Sequence, residues 1–210
     1  MAKDKKNKPG ADDAAASAPS GPAALQTRYV EHVAPLLKEK FGIDNPMARP
    51  EIEKIVINVN MGRHLDGAKL PPNVRETVVK TLTTISGQKP VVIRAKQSVA
   101  NFKVREGFET SAMVTMRRDR MWNFLERLIH LATPRIRDFR GLPTTSFDKQ
   151  GNYSMGLTEQ GAFPEIDMAS VTFTHGMHIN IVFKGSNPEK SRFVLEELGM
   201  PFRKPETARA

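Results

Sequence analysis

No cysteine occurs among the 210 residues, which excludes disulfides, thiol catalysis and cysteine-based zinc sites. No run approaches the roughly 18 consecutive apolar residues that suggest a membrane-spanning helix. The basic start, residues 1–20 (MAKDKKNKPGADDAAASAPS), contains no apolar signal-peptide core. The expected setting is therefore the cytoplasm, with no membrane partner. Leucine is missing until Leu25, and the preceding residues are mostly Lys, Gly, Ala, Ser, Pro and Asp. Such a segment buries too little apolar surface to offset its ordering entropy, so residues 1–24 are expected to be a disordered extension. A folded domain is expected over residues 25–204, and a flexible tail over residues 205–210.

What is present is positive charge, unevenly placed. The formal net charge is +9, and twelve cations against five carboxylates between Lys89 and Arg140 account for +7 of it. Most are arginine, whose guanidinium pairs bidentately with phosphate and stacks on bases. The competing reading is a solvated basic face that keeps the chain soluble. Charge alone does not separate RNA, DNA and an anionic membrane.

The pattern alternates between helices and strands without a regular βαβ rhythm. Tyr29, Val30, Val33, Leu36, Leu37 and Phe41 recur at helical spacing, with Pro35 expected to kink or divide the helix. EIEKIVINVN (residues 51–60) reads as a strand with Ile55, Ile57 and Val59 on one face. A helix follows, with Asn73 as its expected cap, Glu76 three residues on and Gly87 at its end. Residues 89–94 read as a short strand, 95–107 as a basic loop and 108–117 as another strand. Asp119 is the expected cap of a second helix with Met121, Trp122, Phe124, Leu125, Leu128 and Ile129 as its core stripe, ended by Pro134. A hairpin is expected over residues 145–157, turning around residues 148–151, and one or two strands over residues 171–183. The last helix has Asn187 as cap, Pro188 in its first turn, and Gly199 and Pro201 after it. The fold class expected is α+β: a largely antiparallel sheet with helices packed on one face.

Catalytic and metal chemistry finds little support. GRHLDGAKL (residues 62–70) lies where a phosphate-binding P-loop belongs, but Ala68 separates Gly67 from Lys69, and Leu70 replaces the magnesium-holding hydroxyl. His175 and His178 share a metal-like spacing, but on a strand they would point to opposite faces, with no carboxylate or cysteine to complete a tetrahedral set. No nucleophile elbow or paired-carboxylate motif is present. No catalytic residue, metal or cofactor is expected. The basic loop is more informative. Arg94, Lys96, Lys103 and Arg105 flank Phe102 and Phe108, with Ser98, Asn101 and Gly107 between them. Cations interleaved with an aromatic suit structured RNA.

These residues carry a resemblance. ISGQKPVVIRAKQSVA (residues 85–100) resembles the signature of the bacterial-type large-subunit ribosomal protein five family, whose members bind 5S rRNA. The likeness continues through residues 114–117 (VTMR), 120–122 (RMW), 134–141 (PRIRDFRG), 151–156 (GNYSMG), 163–166 (FPEI) and 201–204 (PFRK). It implies an α+β fold docked on 5S rRNA in the central protuberance, amid large-subunit rRNA and neighbouring ribosomal proteins. It implies further that the basic loop reaches peptidyl-site tRNA, and that the protein contacts a protein of the small-subunit head. By position, Asn58, Gln88 and Thr115 match polar residues that contact 5S rRNA, with Arg94, Lys96 and Arg117 as accompanying rRNA contacts. Ser98, Asn101, Phe102, Lys103, Arg105 and Gly107 fall in the tRNA-facing loop. The chain departs from the family pattern in its longer start, in Val59-Asn60-Met61-Gly62 where a glycine-richer turn is common, and in Lys96-Gln97 where two adjacent cations are frequent. Two other classes fit the same charge: an RNA-processing enzyme, which needs a catalytic constellation, and a DNA-binding protein, which lacks here a helix-turn-helix, zinc finger or basic zipper.

Overall fold

The computed structural model describes residues 23–62, 70–102, 104–169, 171 and 173–203. Most of both expected terminal segments, most of the P-loop-like stretch and Lys103 lie outside the described residues.

The polypeptide opens with a helical run: α1 (Ala24–Arg28), a π turn (Tyr29–Val33) and α2 (Ala34–Phe41). Pro35 has no N–H to donate to the Glu31 carbonyl, and its ring would crowd that oxygen; the wider π turn accommodates both. Ala23 is buried with Leu25, and the first helix starts at Ala24. Strand β1 (Glu51–Asn60) alternates as expected, with Ile55, Ile57 and Val59 fully buried. Ile52 should fall on the opposite face, yet it too is buried, because the register with the neighbouring strand shifts between Ile52 and Lys54. One extra residue turns the side chain inward.

Helix α3 (Pro72–Ser86) starts from a Pro71–Pro72 pair rather than from the expected Asn73 cap; Asn73 lies inside the first turn, where its carbonyl accepts the Thr77 hydroxyl. Proline at the first position presets φ and lacks a donor that would in any case be unpaired. Gly87 ends the helix in the left-handed conformation, as expected. Strands β2 (Val91–Arg94) and β3 (Glu109–Met116) follow, then α4 (Arg118–Arg127), which continues through a π turn (Leu128–Ala132) into a 3-10 turn (Thr133–Arg135). Asp119 does not cap α4. It sits in the first turn, where its charge favours the helix dipole. At the end of the π turn the Leu128 carbonyl accepts both the Thr133 backbone N–H and, at 2.6 Å, the Thr133 hydroxyl.

The expected hairpin is one-sided: β4 (Tyr153–Leu157) is a strand, but its partner arm meets it mainly through the Phe147–Tyr153 bridge. The turn between them is held by Asp148, whose carboxylate accepts the backbone N–H of Gln150 and Asn152 and the Asn152 amide. The Asn152 side-chain bond, joined by the backbone donors, draws the Asp148 carboxyl below its usual range. Strand β5 (Met177–Lys184) precedes α5 (Pro188–Glu197). Asn187 occupies the cap position, but its backbone carbonyl, not its side chain, accepts the Ser191 N–H.

The strands form one antiparallel sheet in the order β2-β3-β1-β5-β4. Its inner face carries Ile55, Ile57, Val114, Met116, Ile179 and Ile181, covered by the helices through Val78, Leu82, Trp122, Phe124 and Leu125. The expected Trp122 stripe is thus core. The Tyr29 and Trp122 rings lie 5.8 Å apart, and Phe124 stacks on Phe163 at 5.9 Å. The α+β class, with helices on one face, is the architecture observed. His175 precedes β5 instead of lying in it and is buried, whereas His178 is exposed. Among the described residues no cluster of His, Asp and Glu is arranged to hold a metal, and no helix is long and apolar enough to cross a membrane.

Candidate nucleic-acid interface

The helices cover only one side of the sheet, and alternation decides what the other side shows. On β1 the residues between the buried ones are Glu53, Lys54, Val56, Asn58 and Asn60, with Glu53 paired to its neighbour Lys54 at 3.6 Å. Strand register then aligns their neighbours in rows. Thr115, Val56, Asn180 and Ser154 form one row; Val91, Met113, Asn58, His178 and Gly156 form the next; Ile93, Ser111 and Asn60 form a third. Amides, hydroxyls and an imidazole are thereby spread across four strands, β3, β1, β5 and β4. These three rows contain no carboxylate, so the face presents hydrogen-bonding groups to an anionic backbone without like-charge repulsion.

Cations stand at both ends of β3, a strand of eight residues and therefore about 26 Å long. Arg94 and Lys96 are exposed near its start, and Arg117, Arg118 and Arg120 are exposed just past its end. Arg118 adopts φ 53° at the strand–helix junction, a conformation that costs a non-glycine residue on the order of 1–2 kcal/mol. Not all cations counted in the sequence are available. Arg127 is spent inside the fold, donating to the Ile85 carbonyl at 2.8 Å and pairing with Glu165. Glu109, at the sheet corner, is held by Arg75 at 3.0 Å and more loosely by Arg94 at 3.9 Å.

Of the sequence-derived trio, Asn58 and Thr115 lie on the open face, half-buried, in adjacent rows. Gln88 lies at its margin with its amide already engaged: Nε2 donates to the Thr115 carbonyl at 2.7 Å, and Oε1 accepts from Arg120 at 3.4 Å. Gln88 thus ties the end of β3 to an arginine. Asn60, Ser111, Ser154, His178 and Asn180 were not among the RNA contacts expected from the sequence. The alternation in residues 51–60 and 177–184 carried the signal for three of them, but grouping them required the cross-strand register.

The expected irregular basic loop is instead a hydrogen-bonded extension of the β2–β3 hairpin. Val99 and Val104 exchange backbone bonds at 2.9 and 3.2 Å, the Ala95 N–H donates to the Phe108 carbonyl at 2.7 Å, and the Glu106 N–H donates to the Ser98 hydroxyl at 2.9 Å. Gly107 turns the chain with φ 82°. Asn101 and Phe102 fall in a 3-10 turn (Ala100–Phe102) at the tip, and Lys96, Ser98, Asn101 and Arg105 are exposed. The hairpin leans over the open face: Phe102 and Val104 line a groove of about 470 Å³ together with Asn58, Asn60, Gly62, Thr110 and Ser111.

A helix-backed sheet whose open face carries three polar rows without a carboxylate, bordered by exposed arginines, defines an α+β protein built to bind nucleic acid. The chain belongs to the ribosomal protein L5 family. The family model described as ribosomal protein L5 matches residues 45–105, and a second model, describing the C-terminus of the same ribosomal family, matches residues 109–202. The large ribosomal subunit protein uL5 of Rubrobacter xylanophilus is 49% identical over 86% of this chain and 98% of its own length. Its namesake in Kocuria rhizophila is 49% identical, covering 85% and 93%, and that of Bdellovibrio bacteriovorus 47%, covering 86% and 98%. Membership of this family makes the chain a structural, RNA-binding protein of translation, not an enzyme.

Proposed function

We propose that the chain holds 5S rRNA on the open face of its sheet, as a structural constituent of the central protuberance of the large ribosomal subunit in the cytoplasm. The observation that carries this is the three-row polar face around Asn58 and Thr115, free of carboxylates and bordered by Arg94, Lys96 and Arg117. Amides and hydroxyls bond to phosphates and 2′-hydroxyls, and the 2′-hydroxyl distinguishes RNA from DNA. Lys103, Arg105 and the aromatic Phe102 reach peptidyl-site tRNA, with Ser98, Asn101 and Gly107 shaping that arm. A contact with a protein of the small-subunit head, large-subunit rRNA and neighbouring ribosomal proteins completes the set of partners. The reading needs no cofactor.

Filter binding tests the proposal: the full chain should bind bacterial 5S rRNA at least tenfold more tightly than a tRNA or a DNA duplex of similar length. Equal affinity for all three would remove it. The folded unit proposed is residues 25–204, so removing residues 1–22 should change stability in a thermal or urea melt by less than about 1 kcal/mol. A larger loss would show that the extension packs on the domain.

A further inference from the structure

The sheet has two edges, and they differ. At β4 the preceding arm folds against the outer side, where the Ser154 N–H donates to the Ser146 carbonyl at 3.2 Å and Phe147 bridges to Tyr153. At β2, the other end of the strand order, no backbone hydrogen bond reaches the outer side from any described residue. We infer that the β2 edge docks an extended, acidic segment of another protein, which adds a sixth strand to the five-stranded sheet. This protein contact is separate from RNA binding on the open face.

In an antiparallel ladder, alternate residues turn their N–H and C=O away from the neighbouring strand. Two of the four residues Val91–Arg94 therefore aim these groups outward, with no described backbone partner. Pairing with β3 on the inner side holds this template in place before any partner arrives. The side chains agree with the backbone. Val91 is 63% exposed and Ile93 half-buried, both on the open face. Apolar, β-branched residues at an uncovered edge lose water-exposed area when a strand is laid beside them. Strand addition of this kind takes affinity from main-chain hydrogen bonds and selectivity from the alternate side chains.

Charge selects the occupant. Lys89, Arg94 and Lys96 are exposed around the strand, and β2 itself carries no carboxylate. Glu109, which faces Arg94 in the ladder, is engaged by Arg75 at 3.0 Å. A second copy of β2, paired antiparallel along its whole length, would set Lys89 and Lys96 of the two chains against each other. Like charges directly opposite disfavour that pairing. A segment with alternating apolar residues at its centre and carboxylates at its ends meets Val91 and Ile93 with the first and the three cations with the second. RNA offers the charge, but neither a strand backbone nor apolar side chains. Arg94 and Lys96 are also the cations proposed to border bound RNA, so the segment belongs to a partner of the free chain.

The test follows the isotope-labelled full chain by NMR, with amide hydrogen exchange, as the acetylated peptide DEVTVTVDE is added. Outward N–H groups within Val91–Arg94 should exchange at least about tenfold more slowly at saturating peptide. The peptide DEVPVPVDE has the same charge but lacks two N–H donors, and it should bind at least about tenfold more weakly. Changing Lys89, Arg94 and Lys96 together to glutamine should weaken DEVTVTVDE roughly tenfold. Val91→Glu should also weaken it and leave the rest of the spectrum unchanged, because that side chain is largely exposed. Equal binding of the two peptides, or binding that leaves the β2 amides exchanging as before, would reduce the contact to charge attraction and overturn the added strand. Slowing of the same amides by oligouridine in place of the peptide overturns the protein partner. Slowing that grows with protein concentration alone assigns the edge to a second copy and overturns it as well. Failure of DEVTVTVDE to bind at any concentration at which it dissolves removes the docking site altogether.

Discussion

Replacing Arg94, Lys96 and Arg117 together by glutamine should lower the affinity for 5S rRNA by at least about a thousandfold at moderate salt. Each is a solvent-exposed cation beside the open face, and a charge-assisted contact contributes about 1.5–3 kcal/mol. The diagnostic quantity is the salt dependence. Each phosphate neutralised adds roughly 0.7–0.9 to the log–log slope, so the triple variant should be shallower by about 2–3. The fold should survive the change. Arg94 touches Glu109 only at 3.9 Å, and Arg75 still holds that carboxylate at 3.0 Å. Arg117 occupies the cap position of α4 without a side-chain capping bond. An unchanged slope, with the protein folded by circular dichroism, would show that these cations face solvent and not RNA.

Raising the pH from 10 to 12 should cost the protein on the order of 4 kcal/mol of stability through its two tyrosines alone. Burial raises both hydroxyls to about 12: Tyr29 by desolvation, with Glu51 adding to it and Arg49 opposing, and Tyr153 by desolvation. The Tyr29 hydroxyl donates to the Pro50 carbonyl at 2.6 Å, and that of Tyr153 to the Pro143 carbonyl at 3.1 Å. Ionisation would remove each donor and set an oxyanion against a carbonyl oxygen. The folded state therefore holds protons that the unfolded chain releases near pH 10. The stabilisation is complete below pH 10 and is lost as pH rises toward 12, at about 1.4 kcal/mol per pH unit for each group. A loss of about 4 kcal/mol is a large part of the roughly 5–15 kcal/mol by which domains are stable. Urea melts between pH 9 and 12, with tyrosinate absorbance followed alongside, measure the effect, and Tyr29→Phe with Tyr153→Phe should flatten the decline. Tyrosines that ionise near pH 10 in the folded protein would contradict it.

Helix boundaries show why local signals misplace details while the elements themselves are legible. Asn73 and Asp119 are good capping residues, yet the chain enters α3 through Pro71–Pro72 and α4 through Arg117, because the path from the preceding strand sets where the first turn begins. Gly87 and Gly199 were readable because each adopts a positive φ that other residues resist. The basic loop misled for another reason. Its composition is polar and charged, but Val99 and Val104 pair across it, and that pairing depends on β2 and β3 already lying side by side.

From the sequence alone came the α+β class, the Trp122 core stripe, the strand of Ile55, Ile57 and Val59, the excess of arginine between residues 89 and 140, and the family resemblance. All of these are properties of neighbours in the chain: periodicity, propensity, local charge and ordered motifs. Tertiary structure decided which cations are free and which are used internally, as Arg127 is by Ile85 and Glu165. It also decided that Asn58 shares a face with Asn180 and His178, and that Phe102 comes to lie beside Asn58 and Asn60. Those relations join residues up to 122 positions apart, Asn58 and Asn180, through strand order and register. Alternation assigns each residue to a face of its strand, but only strand pairing determines its neighbours on that face.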